Sequence, residues 1–221
     1  MQPSAFRASR TAVAVILLLA VDIVVAWMVI QGAYLYLGMI WQGLAGESLP
    51  GGATEAHGRQ FLVLRGIQVA AWTATIILFL AWLDRAQQNA RALGASGLGS
   101  RGQMVAAFLV PGLNLVRPIP IMRALWLASD PPGTSPRGTM PPWVRWWWAL
   151  VLAAAVAHLG AVALAAEGWR PLDLGGPMQL LLVAELLEIG AAVLAMLLVR
   201  RVTDRQRDAW RALTREPSTS L

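Results

Sequence analysis

Residues 178–199 read MQLLLVAELLEIGAAVLAMLLV, and arginine follows at positions 200 and 201. A helix rises about 1.5 Å per residue, so roughly 20 residues cross the ~30 Å hydrocarbon core of a bilayer. This run is long enough for that, and Glu185 and Glu188 are its only charges. It reads as a membrane-spanning helix with a basic pair at one end.

Three more runs have the same character: residues 11–32, with an apolar pattern continuing to Ile40, then 61–83 and 146–166. Arg7 and Arg10 precede the first. That run is longer than the apolar part of a signal peptide and no small-x-small cleavage site ends it, so a retained helix is expected. Composition agrees. Of 221 residues, 57% are hydrophobic and 14% charged, against about 45–50% and 25% in soluble domains. A soluble enzyme and a disordered chain are both disfavoured.

The chain has no cysteine and two histidines, His57 and His158. Disulfides, thiolate metal sites and a thiol nucleophile are thereby excluded. No nucleophile motif accompanies the histidines. Gly97-x-Gly99-x-x-Gly102 has dinucleotide-binding spacing, but it follows a helical pattern rather than a strand and reads as a flexible turn. No catalytic motif, cofactor or metal is expected.

All 18 basic residues are arginine and the net charge is +6. Arginine without lysine points to a GC-rich bacterial genome. With a cytoplasmic N-terminus, 15 of the 18 arginines fall on the inner side. Arg59 and Arg170 stay outside, and Arg65 lies just within the second span. The positive-inside rule then places both termini in the cytoplasm of a bacterial inner-membrane protein.

Residues 103–128 are apolar enough to suggest a fifth span, but Pro111, Pro118 and Pro120 interrupt them and Arg117 and Arg123 lie within. Two short interfacial or re-entrant helices on the cytoplasmic face are expected, Gln103 to Val110 and Ile119 to Ala128. Gly94 suits the end of a second helix that projects beyond the bilayer. Ser48 to Gly58 and Ser129 to Pro142 read as loops, and residues 200–221 as a polar tail in which Thr203 to Thr214 continue the helix, with Asp208 and Arg211 three apart. The expected fold is therefore all-α: one integral membrane domain, a four-helix bundle with two short helices between spans 2 and 3.

The ordered motifs Trp82-x-x-Arg85-x-x-x-Asn89-x-x-x-Leu93-Gly94, Pro111-x-x-Asn114-Leu115-x-x-Pro118 and Leu125-Trp126 follow one another between positions 82 and 126. With Trp146-Trp147-Trp148 and Val199-Arg200-Arg201-Val202-Thr203, this set resembles a bacterial family of small multi-pass membrane proteins, domain of unknown function 4328. The resemblance covers roughly the C-terminal two-thirds. It implies a topology and no activity. Family members often carry tryptophan before the arginine-proline pair, where this chain has Val116.

Two sets of residues are functional candidates. Ionisable groups within spans cost roughly 2.5–3.5 kcal/mol each and mark sites. Asp22, His158 and Glu188 fall at similar depth, with Glu185 one turn away and Arg65 near the outer end of its span. Arg65, Gln68, Trp72 and Thr75 share one helical stripe. An alanine ladder at 149, 153, 157, 161 and 165 favours close packing. A buried polar cluster of Asp22, Arg65, His158, Glu185 and Glu188 is expected, either structural or able to hold a proton or cation. The second set is a cytoplasmic shelf of Arg85, Asn89, Asn114, Arg117, Arg123 and Trp126. Trp41, Trp82, Trp143, Trp146, Trp147, Trp148 and Trp169 read as interface anchors.

The expected partners are membrane lipids, chiefly anionic headgroups, and not nucleic acid. A protein partner or a second copy of the chain is also open. The function expected first is non-enzymatic, a membrane interaction or accessory protein. The alternative is small proton- or cation-coupled transport or sensing.

Overall fold

A computed structural model describes residues 4–46, 52–130, 139–166 and 175–215. The described residues form seven helices in the order α1 (Ser4–Leu44), α2 (Ala53–Ala92), α3 (Arg101–Leu109), α4 (Leu113–Val116), α5 (Pro118–Leu127), α6 (Trp143–Ala166) and α7 (Gly175–Arg215). None of the described residues is in a strand. Four of the helices are long and apolar enough to cross a membrane, within Ser9–Leu44, Glu55–Ala92, Trp143–Ala166 and Gly176–Thr214. The protein is a multi-pass helical membrane protein.

The helices overrun the apolar runs that announced them. The second begins at Ala53, inside the stretch expected to be a loop. The fourth continues to Arg215. Hydropathy marks only the hydrocarbon-matched portion, while backbone hydrogen bonding carries the helix into water. Trp169, Arg137 and Arg170 lie outside the described residues.

Local chemistry sets the short helices. At the end of α2, Gly94 has φ +96°; its N–H donates to Arg91 O and the Ala95 N–H to Ala90 O. This is a Schellman cap, whose left-handed residue favours glycine. Ser100 and Gln103 form a reciprocal capping box that starts α3. Val110, preceding Pro111, is extended and ends it. Gly112, at φ +84°, opens α4, and Pro118 stands at the start of α5. The two expected short helices are thus α3 and α5, and a single turn, α4, stands between them.

Contacts divide the chain into two compact units, and each of the four long helices contributes to both. One unit comprises Met1–Leu19, Thr75–Trp148 and Leu194–Leu221. Its fully buried side chains include Trp82, Leu83, Met104, Met122, Leu125, Val144, Leu198 and Val199. Phe79 packs with Trp82, Phe108 and Trp147 at centroid distances of 5.4, 5.8 and 5.7 Å. Trp82, Trp147 and Trp148 are therefore core residues of this unit rather than interface anchors. Trp146, by contrast, is 67% exposed. The Trp82 indole N–H donates to Thr203 Oγ1 at 3.2 Å, and the Trp148 indole to Asn114 O at 2.9 Å.

The other unit comprises Ala20–Ala74 and Ala149–Val193. Val29 of α1, Ala161 of α6 and Leu181 of α7 form its apolar centre, flanked by Phe61 and Leu64 of α2. Small residues permit the approach: a Cβ on Gly160 would stand 2.8 Å from Leu180 Cδ2. The alanine ladder is only partly inward. Ala157 and Ala161 are buried, whereas Ala149 and Ala153 are exposed, because 3.6 residues per turn rotates a strict four-residue spacing off one face.

Candidate functional site: a buried Arg–Glu–Glu–His cluster

Within this second unit, α2 supplies Arg65, Gln68 and Trp72, α6 supplies His158, and α7 supplies Glu185 and Glu188. Spacings of three and four put each set on one helix face. Arg65 Nη1 donates to Glu185 Oε1 at 2.6 Å and also to Gln68 Oε1. The Gln68 amide nitrogen donates to Glu185 Oε2 at 2.7 Å and to Glu188 Oε2 at 3.2 Å. Trp72 Nε1 donates to Glu188 Oε1. Gln68 thus has its oxygen toward the cation and its nitrogen toward both acids.

His158 lies between the two charges. Its Nδ1 is 3.5 Å from Arg65 Nη2, and its Nε2 is 3.4 Å from Glu188 Oε2. A guanidinium carries donors only. The contact therefore asks Nδ1 for its lone pair and leaves the hydrogen on Nε2, which lies near the Glu188 carboxylate without forming a hydrogen bond to it. This tautomer is assigned from the network. The Trp72 ring holds the imidazole edge-on at 4.8 Å and lies 5.8 Å from the Arg65 guanidinium.

Each described partner of the two carboxylates is a donor. Counting both as ionised and His158 as neutral, +1 against −2 leaves a formal charge of −1. Glu185 is fully buried, and the Glu188 and His158 side chains are each 13% exposed. One further positive charge, a proton or small cation, brings the cluster to neutrality. One ligand atom each from His158, Glu185 and Glu188 lies within 4.8 Å of the others, a mixed nitrogen and oxygen set suited to a divalent ion. Asp22 is buried on α1 in the same unit and is not a member of that trio. Gln68 and Trp72 were not among the candidates, although their place on Arg65's stripe was the available signal.

The proposed shelf residues lie in the first unit and divide by burial. Asn89 is buried and donates to Gln206 Oε1 at 3.3 Å. Gln206 in turn donates to Ala86 O at 2.8 Å and to Ser129 Oγ at 3.2 Å. Trp126 is buried beneath the Arg205 guanidinium, 4.6 Å from its ring centroid, and Arg205 pairs with Asp130. Arg85 and Asn114 are half-buried, while Arg117 and Arg123 are exposed. Asn89 and Trp126 are therefore internal struts, and the exposed basic surface of the set is Arg117 and Arg123.

The sequence profile of the DUF4328 family, described as a domain of unknown function, matches residues 53–204. This chain belongs to the DUF4328 family. The match spans Arg65, Gln68, His158, Glu185 and Glu188 as well as the α3–α5 segment, so both candidate sites of this DUF4328 protein lie within the family's domain. Asp22 stands before it. Neither a curated protein nor a solved structure matches the chain.

Proposed function

We propose that this DUF4328 protein is a non-enzymatic interaction protein of the bacterial inner membrane, with cytoplasmic termini and a basic shelf, α3–α5, lying on the inner leaflet. The observation that carries this reading is a run of exposed residues of mixed character. Leu109, Val110, Leu113, Leu115 and Val116 are exposed apolar residues, and the exposed Arg117 and Arg123 lie beside them in sequence. Apolar side chains rimmed by arginine suit the boundary where acyl chains meet phosphate. Lipid retained on detergent extraction, identified by mass spectrometry, is expected to be enriched in anionic species over the bulk membrane. Arg117→Gln with Arg123→Gln is expected to remove that enrichment. Retained lipid of bulk composition sinks the reading.

A second reading, proton- or cation-coupled transport or sensing, is favoured by the formal charge of −1 on the Arg65–Glu185–Glu188–His158 cluster. Proteoliposomes loaded with a pH-sensitive dye test it: flux that Glu188→Gln abolishes is expected. Equal dye response with wild type, variant and empty vesicles overturns it.

A further inference from the structure

A cavity of about 400 Å³ opens in the first unit, where α2, α3, α4 and α5 meet the 97–99 turn. That size suits a small-molecule group. Its lining is mostly apolar, including Leu113 and Ile121, with Gln87, Gln103 and Arg117 as the polar side chains. Gln103 is already engaged, because its Oε1 accepts from the Ser100 N–H at 3.0 Å. Gln87 is not: it is 2% exposed, and its amide oxygen has no hydrogen-bond partner. Buried polar atoms are nearly always paired, so an unpaired acceptor on a residue that lines a cavity asks for a donor from a ligand. Arg117 is exposed, and no described acid pairs with it. Leu113 lines the cavity and is 40% exposed, with Leu109 and Val110 exposed nearby in the chain.

We propose that this cavity receives the headgroup of a phospholipid that is both monoanionic and hydroxylated, a phosphoglycerol. Its phosphate pairs with Arg117, a headgroup hydroxyl donates to Gln87 Oε1, and the acyl chains leave over Leu109, Val110 and Leu113. A phosphate alone leaves Gln87 open, and a neutral polyol leaves Arg117 open. The inference rests on the shelf reading, since only a segment at the leaflet surface meets lipid headgroups.

Native mass spectrometry of the full chain in detergent, titrated with single lipids, tests it. Phosphatidylglycerol is compared with phosphatidylethanol, which has the same phosphodiester and charge but no headgroup hydroxyl, and with phosphatidylcholine. Phosphatidylglycerol is expected to bind about fivefold better than phosphatidylethanol, the equivalent of one net hydrogen bond. Gln87→Leu should bring that ratio to one while leaving phosphatidylethanol binding unchanged. Arg117→Gln should weaken both. Ala124→Trp, which fills the cavity from an exposed lining position, should also abolish the preference, and decides the matter if Gln87→Leu does not fold. Equal binding of the two anionic lipids, both above phosphatidylcholine, overturns the headgroup site and leaves the shelf standing. Three equal lipids overturn both. Displacement of phosphatidylglycerol by water-soluble glycerol phosphate, with the same Gln87 dependence, also overturns the lipid assignment in favour of a free phosphate ester.

Discussion

Arg65 Nη1 stands 2.6 Å from Glu185 Oε1, a pair that joins residues 120 positions apart in the chain. Glu185 is fully buried, whereas the Arg65 side chain keeps 22% of its surface. Among the described residues that neighbour the two carboxylates, Arg65 carries the only fixed positive charge. The two ends of the pair are therefore not equivalent.

Removing the cation should cost more than removing the acid. Arg65→Leu strands two carboxylates in a low-dielectric site, a change worth about 3–5 kcal/mol where one partner of a buried pair is lost. Glu185→Gln keeps the shape, relieves acid–acid repulsion and should cost less. Thermal melting of the detergent-solubilised variants checks the order. An Arg65→Leu protein that melts with the wild type, while Glu185→Gln unfolds early, would falsify this account.

Gln68 works through its donor end. Its amide nitrogen reaches both Glu185 and Glu188, so Gln68→Glu sets an acceptor against two acceptors in almost the same volume. Gln68→Met merely removes the bridge, at about 1–3 kcal/mol for the partners left unpaired. At neutral pH the glutamate variant should melt below the methionine variant. The reverse order would show that shape rather than polarity at position 68 governs stability.

Gln206 is a closed node, with its oxygen taken by Asn89 and its nitrogen by Ala86 O and Ser129 Oγ. Gln206→Leu should destabilise the protein by about 1–3 kcal/mol, since it leaves the buried Asn89 amide nitrogen as an orphan and strips one hydrogen bond each from Ala86 O and Ser129 Oγ, which keep the helix bond and the bond to Leu125 O. Pairing it with Asn89→Leu should restore part of the loss, because one orphan is then gone. Strictly additive losses in the double-mutant cycle would count against a shared network.

Gly94 caps α2 at φ +96°. A side chain there meets no neighbouring atoms, so the cost of Gly94→Ala is conformational alone, about 1 kcal/mol. Gly66, inside α2 and also in open space, should respond oppositely, gaining up to about 1 kcal/mol on change to alanine. Opposite shifts in melting temperature check both at once. A loss at both positions would point to packing that the two glycines serve.

The orientation is tested by fusion. Alkaline phosphatase joined after Leu221 should be inactive and a fluorescent protein at the same place should fluoresce, as expected for a cytoplasmic C-terminus. Active phosphatase there rejects the proposed topology.

The sequence alone determined four spans, because hydrocarbon thickness imposes a run length that few other constraints imitate. It also determined the punctuation between them. Pro111, Pro118 and Gly94 act through their own backbone geometry, which needs no distant partner. Tertiary structure decided which faces meet protein and which meet lipid. Lipid tails are as apolar as leucine, so hydropathy cannot separate buried Ala157 from Val156, which is 70% exposed. For the same reason Trp82 and Trp147 could pass in the sequence for interface anchors, and Asn89 and Trp126 for surface residues. The site divides along the same line. Its charged members announced themselves by the cost of carrying charge within a span. The joining of Arg65 to Glu185, and of Gln68 to both acids, leaves no spacing signature, because contacts across well over a hundred residues are set by how helix faces pack.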